Sequence, residues 1–151
     1  MPEKISVPTG DVDTQWNITP SSPTTHYTKI DESWSSPSTS DYISETVNYQ
    51  LDGFSFPADG PASMITVHTV YVDLYLNTIY NTQLPGLVIY LYIGAVYHTN
   101  MTYQIDTGGA WEKRRFTFTG LSLTKAQYNQ LQVKVLTTPA DPGWQIPEIA
   151  P

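Results

Sequence analysis

The chain has 151 residues, seven basic side chains against fourteen acidic ones, a formal net charge of -7 and no cysteine. That length suits one domain whose core needs no disulfide or metal to hold it, and the missing cysteines exclude thiolate chemistry. The acidic balance argues against nucleic acid or an anionic membrane as partner, and no apolar run approaches the roughly twenty residues of a membrane helix.

Met1-Pro2-Glu3-Lys4 has neither the charged nor the apolar region of a leader, so a soluble, unprocessed chain is expected. Only 14% of residues are charged, whereas 13% are aromatic and eleven are tyrosine. A surface of that kind tends to be partly covered by something else.

Residues 1–25 spread Pro2, Pro8, Pro20 and Pro23 among Ser, Thr and Asp, with isolated apolar residues at Ile5, Val7, Val12, Trp16 and Ile18. This predicts an extended arm with anchors. Such an arm buries too little to offset its ordering entropy, so a partner chain is expected to hold it. From His26 to Ser44 the pattern gives a short strand, a Ser/Pro/Thr loop over 33–40 and a second short strand. Val47, Tyr49 and Leu51 alternate until Asp52-Gly53 interrupts them, with Phe54 and Phe56 on the opposite phase.

Ser63 to Asn77 is the longest run rich in Val, Ile, Thr and Tyr, without Pro or Gly. Its apolar residues sit on odd positions at Ile65 and Val67 and on even ones from Val70 to Leu76. A strand has a side-chain period of two, so a bulge or bend is expected near His68 and Thr69. Tyr71, Asp73 and Tyr75 then point outward.

Residues 86–94 carry Leu87, Ile89, Leu91 and Ile93 on one face and Val88, Tyr90 and Tyr92 on the other. Gly94-Ala95 suits a two-residue hairpin turn into Val96 to Ile105, where Tyr97, Thr99, Met101, Tyr103 and Ile105 share the inner face. Glu112 to Thr119 is a strand with Phe116 and Phe118 inward. Thr124-Lys-Ala-Gln127 has the form of a capping box, and Leu131 to Thr138 closes the domain with Val133 and Val135 inward. The tail repeats the Pro-rich character of the start around Trp144 and Ile146.

The expected fold is an all-β jelly-roll β-sandwich with one short helix and extended Pro-rich arms. The domain spans 26–138, between an N-terminal arm over 1–25 and a C-terminal arm over 139–151.

Signs of catalysis are thin. His26, His68 and His98 fall on different elements, outside any Gly-x-Ser-x-Gly or His-Glu-x-x-His setting. Asp31-Glu32 are neighbours, which on a strand point to opposite faces instead of facing each other across a substrate. Asp11-x-Asp13 is too little for a calcium loop, so no enzyme, metal or cofactor is expected. Lys113-Arg114-Arg115 should make salt bridges. The outward tyrosines Tyr71, Tyr75, Tyr90 and Tyr92 suit an interface or a sugar platform, since tyrosine gives contact area at low entropic cost. The alternative is that another part of the same chain covers them.

Trp16, Tyr27, Ile30-Asp31-Glu32 and Asp41-Tyr42-Ile43 form a pattern that resembles the N-terminal signature of small jelly-roll virion proteins encoded by tailed bacteriophages. The run from Leu121 to Val135 is similar to the end of that group. The resemblance implies a head decoration or cement protein on the exterior of the capsid. It would be a homo-oligomer, often a trimer, with the major capsid protein as partner. On that reading Ile5, Val7, Trp16, Trp144 and Ile146 anchor the arms, and the Tyr71, Tyr75, Tyr90, Tyr92 face is a subunit or capsid contact. The competing expectation is a carbohydrate- or receptor-binding module using the same tyrosines with Trp34 or Trp111. Its rings should be coplanar, exposed and flanked by Asp, Asn or Gln. A tail or baseplate component is a third expectation.

Overall fold

The computed structural model describes residues 4–21, 25–29, 39–40, 42–44, 50–63, 66–78, 86–105, 110–138 and 147–150. One five-stranded sheet, here the front sheet, contains β1 (Gly10–Thr14), β4 (Leu51–Ser55), β7 (Gly86–Ile93), β8 (Val96–Gln104) and β11 (Leu131–Thr138), in the order β1-β4-β11-β7-β8. The back sheet contains β2 (Asn17–Thr19), β3 (Tyr42–Ser44), β6 (Val70–Thr78), β9 (Glu112–Phe118) and β12 (Pro147–Ala150), in the order β2-β3-β12-β6-β9. A two-stranded ribbon pairs β5 (Thr66–Val67) with β10 (Leu123–Thr124). Neighbouring strands in both large sheets run antiparallel.

The inner faces meet in one core. Phe54, Leu87, Ile89, Leu91, Val133 and Val135 come from the front sheet, and Ile43, Val72, Leu76, Phe116 and Phe118 from the back. This is the β-sandwich of jelly-roll type that the alternating patterns predict. The long apolar run breaks where its phase changes, between β5 and β6. His68 and Leu121 fix that break: the Leu121 amide donates to the His68 carbonyl at 3.0 Å, and His68 Nδ1 lies 3.1 Å from the Leu121 carbonyl oxygen. The expected helix is a single turn, α1 (Lys125–Tyr128), capped by Thr124 and Gln127 in both directions.

The segments read as arms differ from expectation. Residues 10–14 and 17–19 are strands, and Trp16 between them is 3% exposed within the core. The indole N–H donates to the Gln50 carbonyl at 2.9 Å. At the other end β12 lies inside the back sheet, between β3 and β6, so the sheet is continuous only because the tail returns. Both segments therefore supply strands to the sandwich, and the boundaries at 25/26 and 138/139 do not separate arm from domain. Ile5 and Val7 are exposed, at 78% and 39%. Trp144 and Ile146 lie outside the described residues, as do Ile30, Asp31, Glu32, Trp34 and Asp41.

Two local expectations are also corrected. The segment at His26 is a 3-10 turn over Tyr27–Lys29, because the Asp11 carboxylate accepts from the His26 and Tyr27 amides at 3.0 and 2.7 Å. Asp52-Gly53 does not interrupt a strand. Both lie buried inside β4, where Asp52 Oδ2 and His26 Nδ1 share a hydrogen bond at 2.7 Å.

Candidate functional site: the outer face of the front sheet

The four outward tyrosines do not form one face. Tyr71 and Tyr75 stand on the outer side of the back sheet, Tyr90 and Tyr92 on the outer side of the front sheet, with the core between. The strand assignments were legible, but the pairing of sheets was not.

On the back sheet the tyrosines are largely engaged. The Arg115 guanidinium makes two 2.7 Å bonds to Asp73 and lies 4.7 Å from the Tyr71 ring centroid. Trp111 packs on Tyr75 at 5.2 Å and Tyr42 at 5.8 Å, bridging the strands on either side of β12. Tyr71 keeps 46% of its surface in solvent. Arg114 pairs with Glu112 and Arg115 with Asp73, ion pairs of the kind expected for this run.

The front sheet is different. Register places Asp13, Gly53, Lys134, Tyr90 and Asn100 in one row across all five strands. At about 4.8 Å per strand the row is roughly 19 Å long. The next row holds Ser55, Gln132, Tyr92 and Tyr97.

Tyr97 belongs to this face because of a register shift. Leu91 pairs with Thr99 and Tyr92 with Tyr97, which leaves His98 as an extra residue on β8. A bulge of one residue turns the strand's preceding side chains over. The inner position expected for Tyr97 is thereby corrected: it is 51% exposed beside Tyr92.

Tyr90, Tyr92 and Tyr97 then form a closed triangle, with centroids 5.9 to 6.3 Å apart and interplanar angles of 64° to 76°. Edge-to-face contacts of this type contribute about 0.5–1.5 kcal/mol each beyond burial. Asn100 Nδ2 donates to the Tyr97 hydroxyl at 3.0 Å, fixing the exposed ring further. The rings are not coplanar, contrary to the expectation for a flat sugar platform. They instead leave one of them, Tyr97, steeply inclined to its two neighbours and exposed.

The polar half of the face is built around Gly53. A side chain there would meet Asp13 Oδ2 at 2.9 Å and Lys134 Cγ at 3.0 Å, so the glycine leaves space for those two to meet above it. Lys134 Nζ lies 2.8 Å from Asp13 Oδ2 and 4.5 Å from the Tyr92 ring centroid. Both sit low in the face, at 12% and 28% side-chain exposure. Burial, followed by the nearness of Tyr92 and Tyr97, raises the Tyr90 hydroxyl above its ordinary pKa, so it remains a neutral donor. Gln132 Oε1 is buried and has no hydrogen-bond partner among the described residues.

The carboxylates of Asp11 and Asp13 are thus committed to the 3-10 turn and to Lys134, and they do not converge on a cation position. His26 is tied to Asp52 in the interior and His98 is exposed on the bulge. Sequence reasoning missed Tyr97, Asn100, Asp13 and Lys134 as neighbours. The one signal on offer was Tyr97 at the mouth of a two-residue hairpin, opposite Tyr92.

No protein-family model and no curated protein matches the chain. Among solved structures it is similar to the carbohydrate-binding module TmCBM61, determined in complex with beta-1,4-galactotriose. The TM-score is 0.40 and the identity 6%, with 74% of this chain and 68% of that chain covered.

Proposed function

We propose that the chain is a non-enzymatic binding module that holds carbohydrate on the outer face of its front sheet. The observation that carries this reading is the Tyr90–Tyr92–Tyr97 triangle beside Asn100 and the Lys134–Asp13 pair. A pyranose presents an apolar C–H face and a rim of hydroxyls. An exposed ring of fixed orientation suits the first, and a row of donors and acceptors suits the second. The test is retention on immobilised or soluble polysaccharides in native affinity gels. Tyr97→Ala should weaken retention at least about tenfold, the loss of a stacking contact worth on the order of 1.5 kcal/mol. Its unfolding temperature should fall by several degrees, because the ring makes two of the three edge-to-face contacts, so retention is compared well below both transitions. Retention equal to that of the unsubstituted chain would remove this face from consideration.

A second reading, decoration of a virion surface by a self-associating chain, draws on Ile5 and Val7, which stand exposed in a segment tied back at Thr9 by its amide to the Ser55 carbonyl. Exposed apolar residues on an extended segment suit capture by another copy. Trp16 and β12 lend it no support, since their ordering is accounted for within one chain. Light scattering on full-length protein and on a version lacking residues 1–8 tests it without cutting into β1. An oligomer that falls to monomer on trimming is the outcome this reading requires, and a monomer in both forms sinks it.

A further inference from the structure

We infer that the front-sheet site selects uncharged glycans and that Lys134 and Asp13 grip two neighbouring hydroxyls of one sugar ring. This rests on the carbohydrate reading above and adds the ligand class and the residues that set it.

Among the described residues, Asp13 and Lys134 are the charged side chains on this face, and they neutralise each other at 2.8 Å. A ligand carboxylate or sulfate would have to compete with Asp13 for the ammonium. It would also approach a molecule of formal charge -7. A neutral hydroxyl pays neither cost.

Asp13 Oδ2 is buried against the ammonium, so the acceptor this pair offers is Oδ1. Beside the ammonium it makes an acceptor and a donor, and adjacent pyranose hydroxyls offer a donor and an acceptor. Lys134 has three protons. Asp13 and the Tyr92 ring face occupy two directions, which leaves a donor for a ligand oxygen. Hydrogen bonds to charged groups contribute about 1.5–3 kcal/mol, more than neutral ones, so the pair would dominate the polar part of recognition. From this grip, the row through Tyr90 to Asn100 gives the rest of a short oligosaccharide a path across the strands.

The experiment is calorimetric titration of purified full-length protein with neutral gluco-, manno- and xylo-oligosaccharides and with oligogalacturonate, at about 20 and about 300 mM NaCl, a range over which exposed ionic attraction is largely screened. The expected result is binding of a neutral oligosaccharide whose affinity changes less than about twofold with salt, since no net charge is exchanged. Lys134→Met should weaken it about tenfold or more, and Asp13→Asn by a smaller factor. Gly53→Ala keeps both charges but displaces the pair, so it should weaken binding while circular dichroism stays unchanged. It guards against misfolding of the Lys134 variant.

Tighter, salt-sensitive binding of oligogalacturonate would overturn the inference and leave the carbohydrate site standing. So would neutral binding that all three substitutions leave intact but Tyr97→Ala abolishes. Binding of no member of the panel, or binding indifferent to Tyr97→Ala, would overturn the site itself.

Discussion

Replacing Trp16 by alanine should lower the unfolding free energy by about 3–5 kcal/mol, the usual cost of truncating a buried Trp. Native domains are stable by only about 5–15 kcal/mol, so this one side chain carries a large share. The reason is position. The ring lies in the core at the turn between β1 in the front sheet and β2 in the back sheet, and so closes one end of the sandwich. The truncation also removes the indole N–H that donates to the Gln50 carbonyl at 2.9 Å. Urea unfolding followed by far-ultraviolet circular dichroism measures the loss without relying on Trp fluorescence. Trp16→Phe should recover most of it, because the ring volume largely returns and only the hydrogen bond is missing. A loss under about 1 kcal/mol in Trp16→Ala would mean that the N-terminal segment is an appendage after all.

The strands of the interior were legible because burial on one face enforces alternation. Leu87-Ile89-Leu91 and Val133-Val135 pair across the sheet in the register their pattern implies. The break at His68 and the capping box at Thr124 were readable for the same reason: each is a local rule stated by adjacent residues. The terminal strands were not readable. β1 and β2 are five and three residues long and rich in Asp, Asn and Thr, so their own sequence does not favour extended pairing. They are strands because β4 and β3 offer them open edges, which is tertiary information.

The site shows the same division. That Tyr90 and Tyr92 face outward follows from Leu87 to Ile93. That Tyr97 joins them depends on one unpaired residue, His98, which no periodicity announces. That Asp13 meets Lys134 depends on β1 and β11 flanking β4, strands separated by more than a hundred residues of chain, and on a glycine between them. Gly53 reads in sequence as a break. In the sheet it is the space over which the ion pair closes.

Asp52 gives the second large effect, and its sign is unusual for a carboxylate. Its side chain is fully buried beside His26, with Nδ1 to Oδ2 at 2.7 Å, and Oδ1 has no side-chain partner to help it hold charge. Burial raises its pKa from 3.8 to about 7, against the opposing pull of His26. The native state therefore binds this proton more tightly than the unfolded chain does. Stability from this group is greatest below about pH 4 and falls as pH rises towards 7, by at most about 4 kcal/mol for a shift of roughly three units. Asp52→Asn keeps a hydrogen-bonding group for His26, able to accept or donate, and never ionises. It should match the unsubstituted protein near pH 4 and exceed it by a few kcal/mol at pH 8, where the carboxylate bears its charge in the interior. The difference between the two unfolding curves, taken across pH 4 to 8, cancels the other titrating groups. A difference that stays flat would show that His26 meets the full cost of the buried charge, and that the pair acts only as a tie between the 3-10 turn and β4.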